Sequence, residues 1–364
     1  MKKLLLALFI FTVLLSACSG NNGWTSTSAS TAPPTTTTAP PTTTTAPLEQ
    51  SKAVDYFPFT ADVHKKFKGD GNEYAQFDSY VDYIKGNMIQ IREMNGGSVS
   101  VHTYRLEEEA VTSVYFQGEV YYRHDFTGIQ GVEDIVIKEP IAVGTTWTLS
   151  DGSVRSISAI DKSLALPAGD YTTLEITTTS ATSVIKDYYA KDIGLVKTEF
   201  SMPGDANVIS SSLELYETDK PFSQTVTFYF PDFEHERLVF EEREIVLKTN
   251  EDILPRLEAQ LKDHPGGSDI SNVLSDGAKV LGIEPDEANG ILTVDFSSEL
   301  ISEMIAGANF EGMLIQCIAN TFGDYYQKEK VVITLEGNLY ESGHFMLGEG
   351  EYFSVDHDNA VLFE

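Results

Sequence analysis

Only two cysteines, Cys18 and Cys317, occur in the 364 residues. Two thiols exclude a disulfide framework of the kind that staples small secreted domains. Positive charge is scarce as well: 25 Lys and Arg stand against 55 Asp and Glu, a formal net charge of −30. A chain this acidic repels nucleic-acid phosphates and anionic headgroups, so nucleic acid is excluded as a partner. The motifs of common catalytic sites are missing too. There is no His-Glu-x-x-His, no Gly-x-Ser-x-Gly, no phosphate loop and no Cys-x-x-Cys. The 7 histidines are scattered. Ser183-Val184-Ile185-Lys186 has Ser-x-x-Lys spacing but reads as strand and lacks the motifs that accompany it in acylating enzymes. Asp356-His357-Asp358-Asn359 lacks the glycine turn and distal Glu of a calcium loop and reads as a solvated tail. Cys317 lies in an apolar helical stretch and reads as a buried thiol, not a nucleophile. The expectation is a chain without catalytic residues, cofactor or metal: not an enzyme.

The N-terminus sets the location. Lys2 and Lys3 precede an apolar run from Leu4 to Leu15. That run falls short of the ~20 residues a spanning helix needs, and the pattern is that of an export signal. Leu15-Ser16-Ala17-Cys18 follows and matches the lipobox of bacterial lipoproteins. The match implies cleavage before Cys18 and acyl chains, palmitate among them, on that residue, which holds the protein at the outer face of the cell membrane. Removing residues 1–17 with their two lysines takes the net charge from −30 to −32. Residues 19–50 contain Ala32-Pro33-Pro34-Thr35-Thr36-Thr37-Thr38 and its repeat from Ala39 to Thr45. With almost nothing apolar to bury, this Thr/Pro-rich linker is expected to be disordered and extended, at about 3.1 Å per residue.

From 51 to 220 the pattern is short alternating strands joined by Gly, Asn and Asp turns, with no helical period between them. Val81–Ile84 and Met88–Arg92 flank Lys85-Gly86-Asn87. Val114–Phe116 and Glu119–Arg123 flank Gln117-Gly118. Further strands are expected at Ser98–Tyr104, Trp147–Leu149, Val154–Ile157, Leu174–Thr178, Asp187–Ala190, Leu195–Phe200 and Ile209–Leu215. Sequential hairpins of this kind build an antiparallel β meander, curled as a sandwich or half-barrel. The order Pro140, Gly144–Trp147, Pro167–Gly169 and Tyr188–Lys197 resembles a β-rich module of bacterial surface lipoproteins. Its concave face is either filled by its own side chains or open to an apolar ligand.

From 221 the period changes. Thr225–Phe230 is a strand ended by Pro231, and Leu238–Phe240 with Glu244–Lys248 forms a second, bent one. Thr249–Asp252 caps a helix with Ile253, Leu254, Leu257 and Leu261 on its apolar face. Lys279–Ile283 pairs with Ile291–Phe296, and Ser297 or Ser298 caps a short helix. A longer helix turns Phe310, Met313, Leu314, Cys317, Ile318 and Phe322 inward, and Val331–Leu335 closes the sheet. The order ββαββαβ is an α+β two-layer domain. Val226–Pro231, Leu238-Val239, the helix at 251–263, Asn289-Gly290 through Ser297, Asn320-Thr321 and Val331–Gly337 resemble the sporulation and spore-germination (GerMN) family. That resemblance implies a non-catalytic envelope domain used for binding or assembly. Acid is concentrated here: 28 Asp and Glu against 8 Lys and Arg in 221–364.

The chain thus reads as multidomain. Signal peptide and lipobox occupy 1–18, the linker 19–50 and an antiparallel β domain 51–220. A GerMN-like α+β domain occupies 221–340, and 341–364 is an acidic tail or an extra strand. The function expected is a membrane-anchored binding or assembly module facing the cell wall, in sporulation, germination or envelope maintenance. Its partners are the membrane, through Cys18, and an envelope protein or cell-wall component. The alternatives are a ligand-binding lipoprotein that uses the β domain and, behind it, a wall-active enzyme.

Overall fold

The computed structural model describes residues 51–304 and 307–363, so Cys18, the signal peptide and the linker lie outside the described residues. Period-2 alternation over 51–220 produces twelve strands. They are β1 (His64–Asp70), β2 (Phe77–Lys85), β3 (Met88–Asn95), β4 (Val99–Leu106), β5 (Ala110–Gly118), β6 (Asp134–Lys138), β7 (Thr146–Thr148), β8 (Val154–Leu166), β9 (Gly169–Thr179), β10 (Val184–Ala190), β11 (Gly194–Ser201) and β12 (Val208–Glu217). Turn chemistry sets the register locally. Lys85 pairs with Met88, which leaves Gly86 and Asn87 as a two-residue loop, and Gly86 takes the positive φ of 62° that its first position requires.

The strands form one antiparallel sheet in the order β6-β5-β4-β3-β2-β1-β12-β11-β10-β9-β8-β7. Its two edges, β6 and β7, are consecutive in the chain and are laced by side chains. Trp147 Nε1 and Arg155 Nη1 donate to Ile135 O at 2.9 and 2.7 Å, and Ser150 N donates to Asp134 Oδ1 at 2.7 Å. The sheet therefore curls until its ends meet. Ile89, Val111, Ile137, Trp147, Ile157, Ile176 and Tyr189, from seven strands, share one core with Ala53, Tyr56 and Phe57 of the preceding 3₁₀ turn. Each fully buried aliphatic of that set contributes about 1.5–3 kcal/mol. A satellite cluster of Phe67, Tyr188, Val196 and Leu213 lies against Leu164, Leu166 and Ala168 at the tip of the β8–β9 hairpin.

After 221 come β13 (Phe222–Asp232), β14 (Arg237–Leu247), α1 (Leu254–Leu261), β15 (Val280–Asp286), β16 (Ile291–Phe296), α2 (Glu299–Ser302), α3 (Ala308–Tyr326), β17 (Lys330–Leu335), β18 (Asn338–Leu339), β19 (Phe353–Ser354) and β20 (Ala360–Leu362). They make two sheets, β13-β14-β20 and β15-β16-β17-β18, with β19 also on β17. The α3 helix packs against β13 of the first sheet and against β16, β17 and β19 of the second. Arg243 of β14 lies over Phe228 and Phe230, with its guanidinium carbon 5.8 and 5.1 Å from the two ring centres. Its Nη1 donates to Gln260 O at 3.1 Å and its Nη2 to Asp263 O at 2.6 Å, a cation set on the carbonyl end of α1.

Several expectations need correction. Glu119–Arg123 is not a strand. Glu119 turns left-handed at φ 58°, and the segment leaves the sheet to bury Val120 and Tyr122 against the C-terminal half. Strands β1 and β6 were not anticipated. Pro231 does not end its strand: it pairs with Leu238, which an edge strand tolerates because no ladder donor is needed on its outer side. Val331–Leu335 closes the second sheet, parallel to β16, and does not join β13–β14. Phe310 is 38% exposed and lies tilted against Phe233 with centroids 4.4 Å apart. Finally, of the two readings of 341–364, acidic tail or extra strand, the structure has strand, and the 356–359 run is not a solvated tail. Residues 341–364 supply β19 and β20, the latter parallel to Leu238–Phe240.

Candidate functional site

Inside the curl the concave face leaves a partly open cavity of about 90 Å³. Alternation along β1, β2 and β3 sends Lys65, Val81, Ile89, Ile91 and Glu93 to it, and β4 and β10 send Tyr104 and Tyr189. Phe57 closes one side, tilted against Tyr104 with centroids 4.8 Å apart. The walls are apolar and the polar groups few. Lys65 Nζ donates to Ile193 O at 2.5 Å and more weakly to Leu195 O at 3.4 Å. Burial pushes its ammonium down to about 8, against the opposing pull of Glu93. The Glu93 carboxylate has His102 Nε2 at 3.4 Å. Burial raises both phenols, Tyr104 and Tyr189. Asp187, two residues before Tyr189 and so on the same face, is raised by burial, against a 2.8 Å hydrogen bond from Thr198 Oγ1.

On the opposite face of β2–β4 a buried ionic junction joins the two halves. Asp82, Arg92 and Arg123 are at most 1% exposed. Arg92 Nη2 and Arg123 Nη1 each lie 3.0 Å from the Asp82 carboxylate. Further donors go to carbonyls, Arg92 to Val120 and Tyr122 at 2.8 Å and Arg123 to Lys248 at 2.9 Å, while Arg123 Nε is buried without a hydrogen-bond partner. Tyr325 of α3 accepts from Arg123 N at 2.9 Å, and burial pushes its phenol up to about 12. Tyr122 donates to Glu287 at 2.7 Å, and its ring meets Tyr326 at 4.8 Å. The hydrophobic core beneath is continuous: Val101, Val120, Tyr122 and Phe126 belong to the same cluster as Phe228, Phe322 and Tyr326. None of this was legible in the sequence as a site.

The residues weighed from the sequence separate. Cys317 is fully buried and unpaired, and burial raises its thiol well above the usual range. Ser183 Oγ is held by Ser180 Oγ at 2.9 Å in the turn before β10, and Lys186 lies within that strand. Asp356 is clamped by Asn320 through two backbone hydrogen bonds of 2.6 and 2.9 Å, and His357 contacts Asp324 at 3.1 Å while stacking on Tyr229. The 356–359 run therefore fastens the C-terminal strand to α3. Two further His–carboxylate pairs, His235 with Asp232 and His344 with Glu311, have separations of 2.9 and 2.8 Å. Among the described residues no group of three or more His, Cys, Asp or Glu is placed to hold a metal ion.

Residues 227–341 match the family model described as Germane, sporulation and spore germination, which carries the resemblance seen in the sequence of that stretch. Among solved structures the chain is similar to the tandem GerMN domains of the sporulation protein GerM from Bacillus subtilis. The identity is 17% over 37% of this chain and 46% of that one, with a TM-score of 0.26; the match thus spans less than half of the tandem protein. A candidate lipoprotein from Parabacteroides distasonis is 14% identical over 46% of this chain and 100% of its own, with a TM-score of 0.30. One from Clostridium perfringens is 17% identical over 37% and 87%, with a TM-score of 0.24. The comparison with curated proteins gives no match.

Proposed function

We propose that this chain is a membrane-anchored lipoprotein of the cell envelope, acylated on Cys18, that works as a non-catalytic binding and assembly module. The observation that carries the reading is the sporulation and spore-germination match over 227–341. It falls on the part of the chain where acid is densest, 28 Asp and Glu against 8 Lys and Arg from 221 onward. The partner that fits is a basic envelope protein or a cationic wall component, met during sporulation or envelope maintenance. Glu234, Glu242 and Glu244, on and beside the β13–β14 hairpin, are exposed and unburdened by the core. They are the first candidates for that contact.

The test uses the full chain as bait in envelope extract at low and high salt. A specific partner held at low salt, released at high salt, and at least tenfold depleted by Glu234→Gln/Glu242→Gln/Glu244→Gln supports the reading, since exposed charges are screened beyond about a Debye length. Capture that ignores both salt and these substitutions would sink the electrostatic part of it. Cys18→Ala should move the protein from the membrane fraction to the soluble one; unchanged membrane association rules out the anchor.

A further inference from the structure

We propose that the cavity inside the curled sheet is a binding site for a small uncharged amphiphile, an apolar body of a few carbons carrying one hydroxyl or amide. The proposal does not rest on the assembly reading, which concerns the acidic half. Its first support is the space itself. About 90 Å³ is room for several water molecules, of which one needs about 10–15 Å³. Close packing normally leaves no such hole in an interior. Its second support is the wall. Val81, Ile89, Ile91 and Phe57 offer no hydrogen bond to water, so water held there has few partners and an apolar body replaces it favourably.

The third support is a phenol on the wall of the space. Tyr189 is 5% exposed and lines the cavity, and burial raises its phenol. A buried phenol normally finds a partner. Tyr104, partly buried, lines the cavity beside it.

The charges select the head group. Lys65 and Glu93 both line the cavity, one positive and one negative, and each acts on the other. Their charges already cancel, and the Lys65 ammonium is held by two carbonyls. A third charge brought into this half-desolvated site would have no partner of its own and would bear the full cost of leaving water. A hydroxyl or amide adds no charge, and it both donates to and accepts from the two phenols. The net charge of −30 further disfavours an anion.

The experiment is isothermal titration of the full chain with three probes of one length: 1-hexanol, hexanoate and hexylamine. The expected result is saturable binding of one 1-hexanol per chain, with the two charged probes at least tenfold weaker. Tyr189→Phe, which removes only the hydroxyl, should weaken 1-hexanol about three- to tenfold and leave the melting midpoint in place. Ile91→Trp should fill the space and abolish binding. Absence of saturable 1-hexanol binding overturns the proposal, as does hexanoate or hexylamine binding as well as 1-hexanol. Unchanged affinity in Tyr189→Phe also overturns it, and this variant decides the matter if Ile91→Trp fails to fold. Capture of an envelope partner by the acidic half is unaffected by any of these outcomes, so the two proposals fail separately.

Discussion

Lys65 is a side chain whose charge the fold resists. Its ammonium is pushed down to about 8 by burial, so between pH 8 and its ordinary value the unfolded chain holds a proton that the folded chain has released. Stability rises with pH wherever the unfolded state binds more protons, so the charged form is the destabilising one and its penalty is fully present below pH 8. Lys65→Met removes that titration. The stability of the variant relative to the parent should therefore fall by about 1–3 kcal/mol between pH 7 and pH 10, read from urea midpoints at each pH. Taking the difference cancels Cys317 and the buried tyrosines, whose raised values pull the other way above pH 9. At this scale little of the site was legible. Lys65 stands in His-Lys-Lys-Phe-Lys-Gly-Asp, which reads as a solvated basic patch. Only the neighbouring strands, which supply Ile89, Ile91 and Tyr189, show which of its lysines turns inward. Tyr189, by contrast, was placed on a strand by alternation alone; what the pattern could not tell was whether its face was filled.

Elements were legible where the pattern was local. The β2–β4 and β9–β12 hairpins carry their own turn residues and strict alternation, and they form as expected. Glu119–Arg123 misled because Val-Tyr-Tyr is strand-like in composition, while the force that decides its shape comes from α3 and from Lys248, just past β14, more than a hundred residues on. The C-terminal strands were hidden for a related reason: β19 and β20 have two and three residues and exist only because a helix and a sheet edge receive them. Gly323 of α3 shows how tightly. A Cβ there would run into Val355 and come within 2.8 Å of Lys328 O. Alanine is the better helix former by about 1 kcal/mol, yet Gly323→Ala should destabilise the chain by about 1–3 kcal/mol through overpacking. Hydrogen exchange should locate the loss in 350–363, with α3 itself as protected as before. Protection of that segment equal to the parent's would show that the contact relaxes at little cost.

Over the whole molecule, the boundary read at residue 220 is crossed by a continuous core and by the Asp82–Arg92–Arg123 junction. Composition marks where the pattern changes and carries no information on whether the two sides share an interior. Residues 50–364 accordingly cluster as one compact unit. The expectation is a single cooperative thermal transition for the two halves together. Arg123→Met leaves Asp82 buried with one partner fewer and should cost about 3–5 kcal/mol. If the junction is what unites the halves, the calorimetric trace of this variant splits into two transitions. A parent that already melts in two steps would show that the shared core does not couple them.

The buried 3₁₀ turn at Ala53–Tyr56 has a mechanical consequence. Within a few residues of the expected linker the chain enters the core: Ala53, Tyr56 and Phe57 are between 1% and 8% exposed. They are fastened by Ala53 N to Glu139 and by Asp192 N to Asp55 O, each at 2.8 Å. A pull along the chain at residue 51 is therefore carried first by this plug, before any strand is loaded. Phe57 and Pro58 also line the cavity, so tension strong enough to draw the plug out takes away one wall of the chamber. Stretch and occupancy are thereby set against each other.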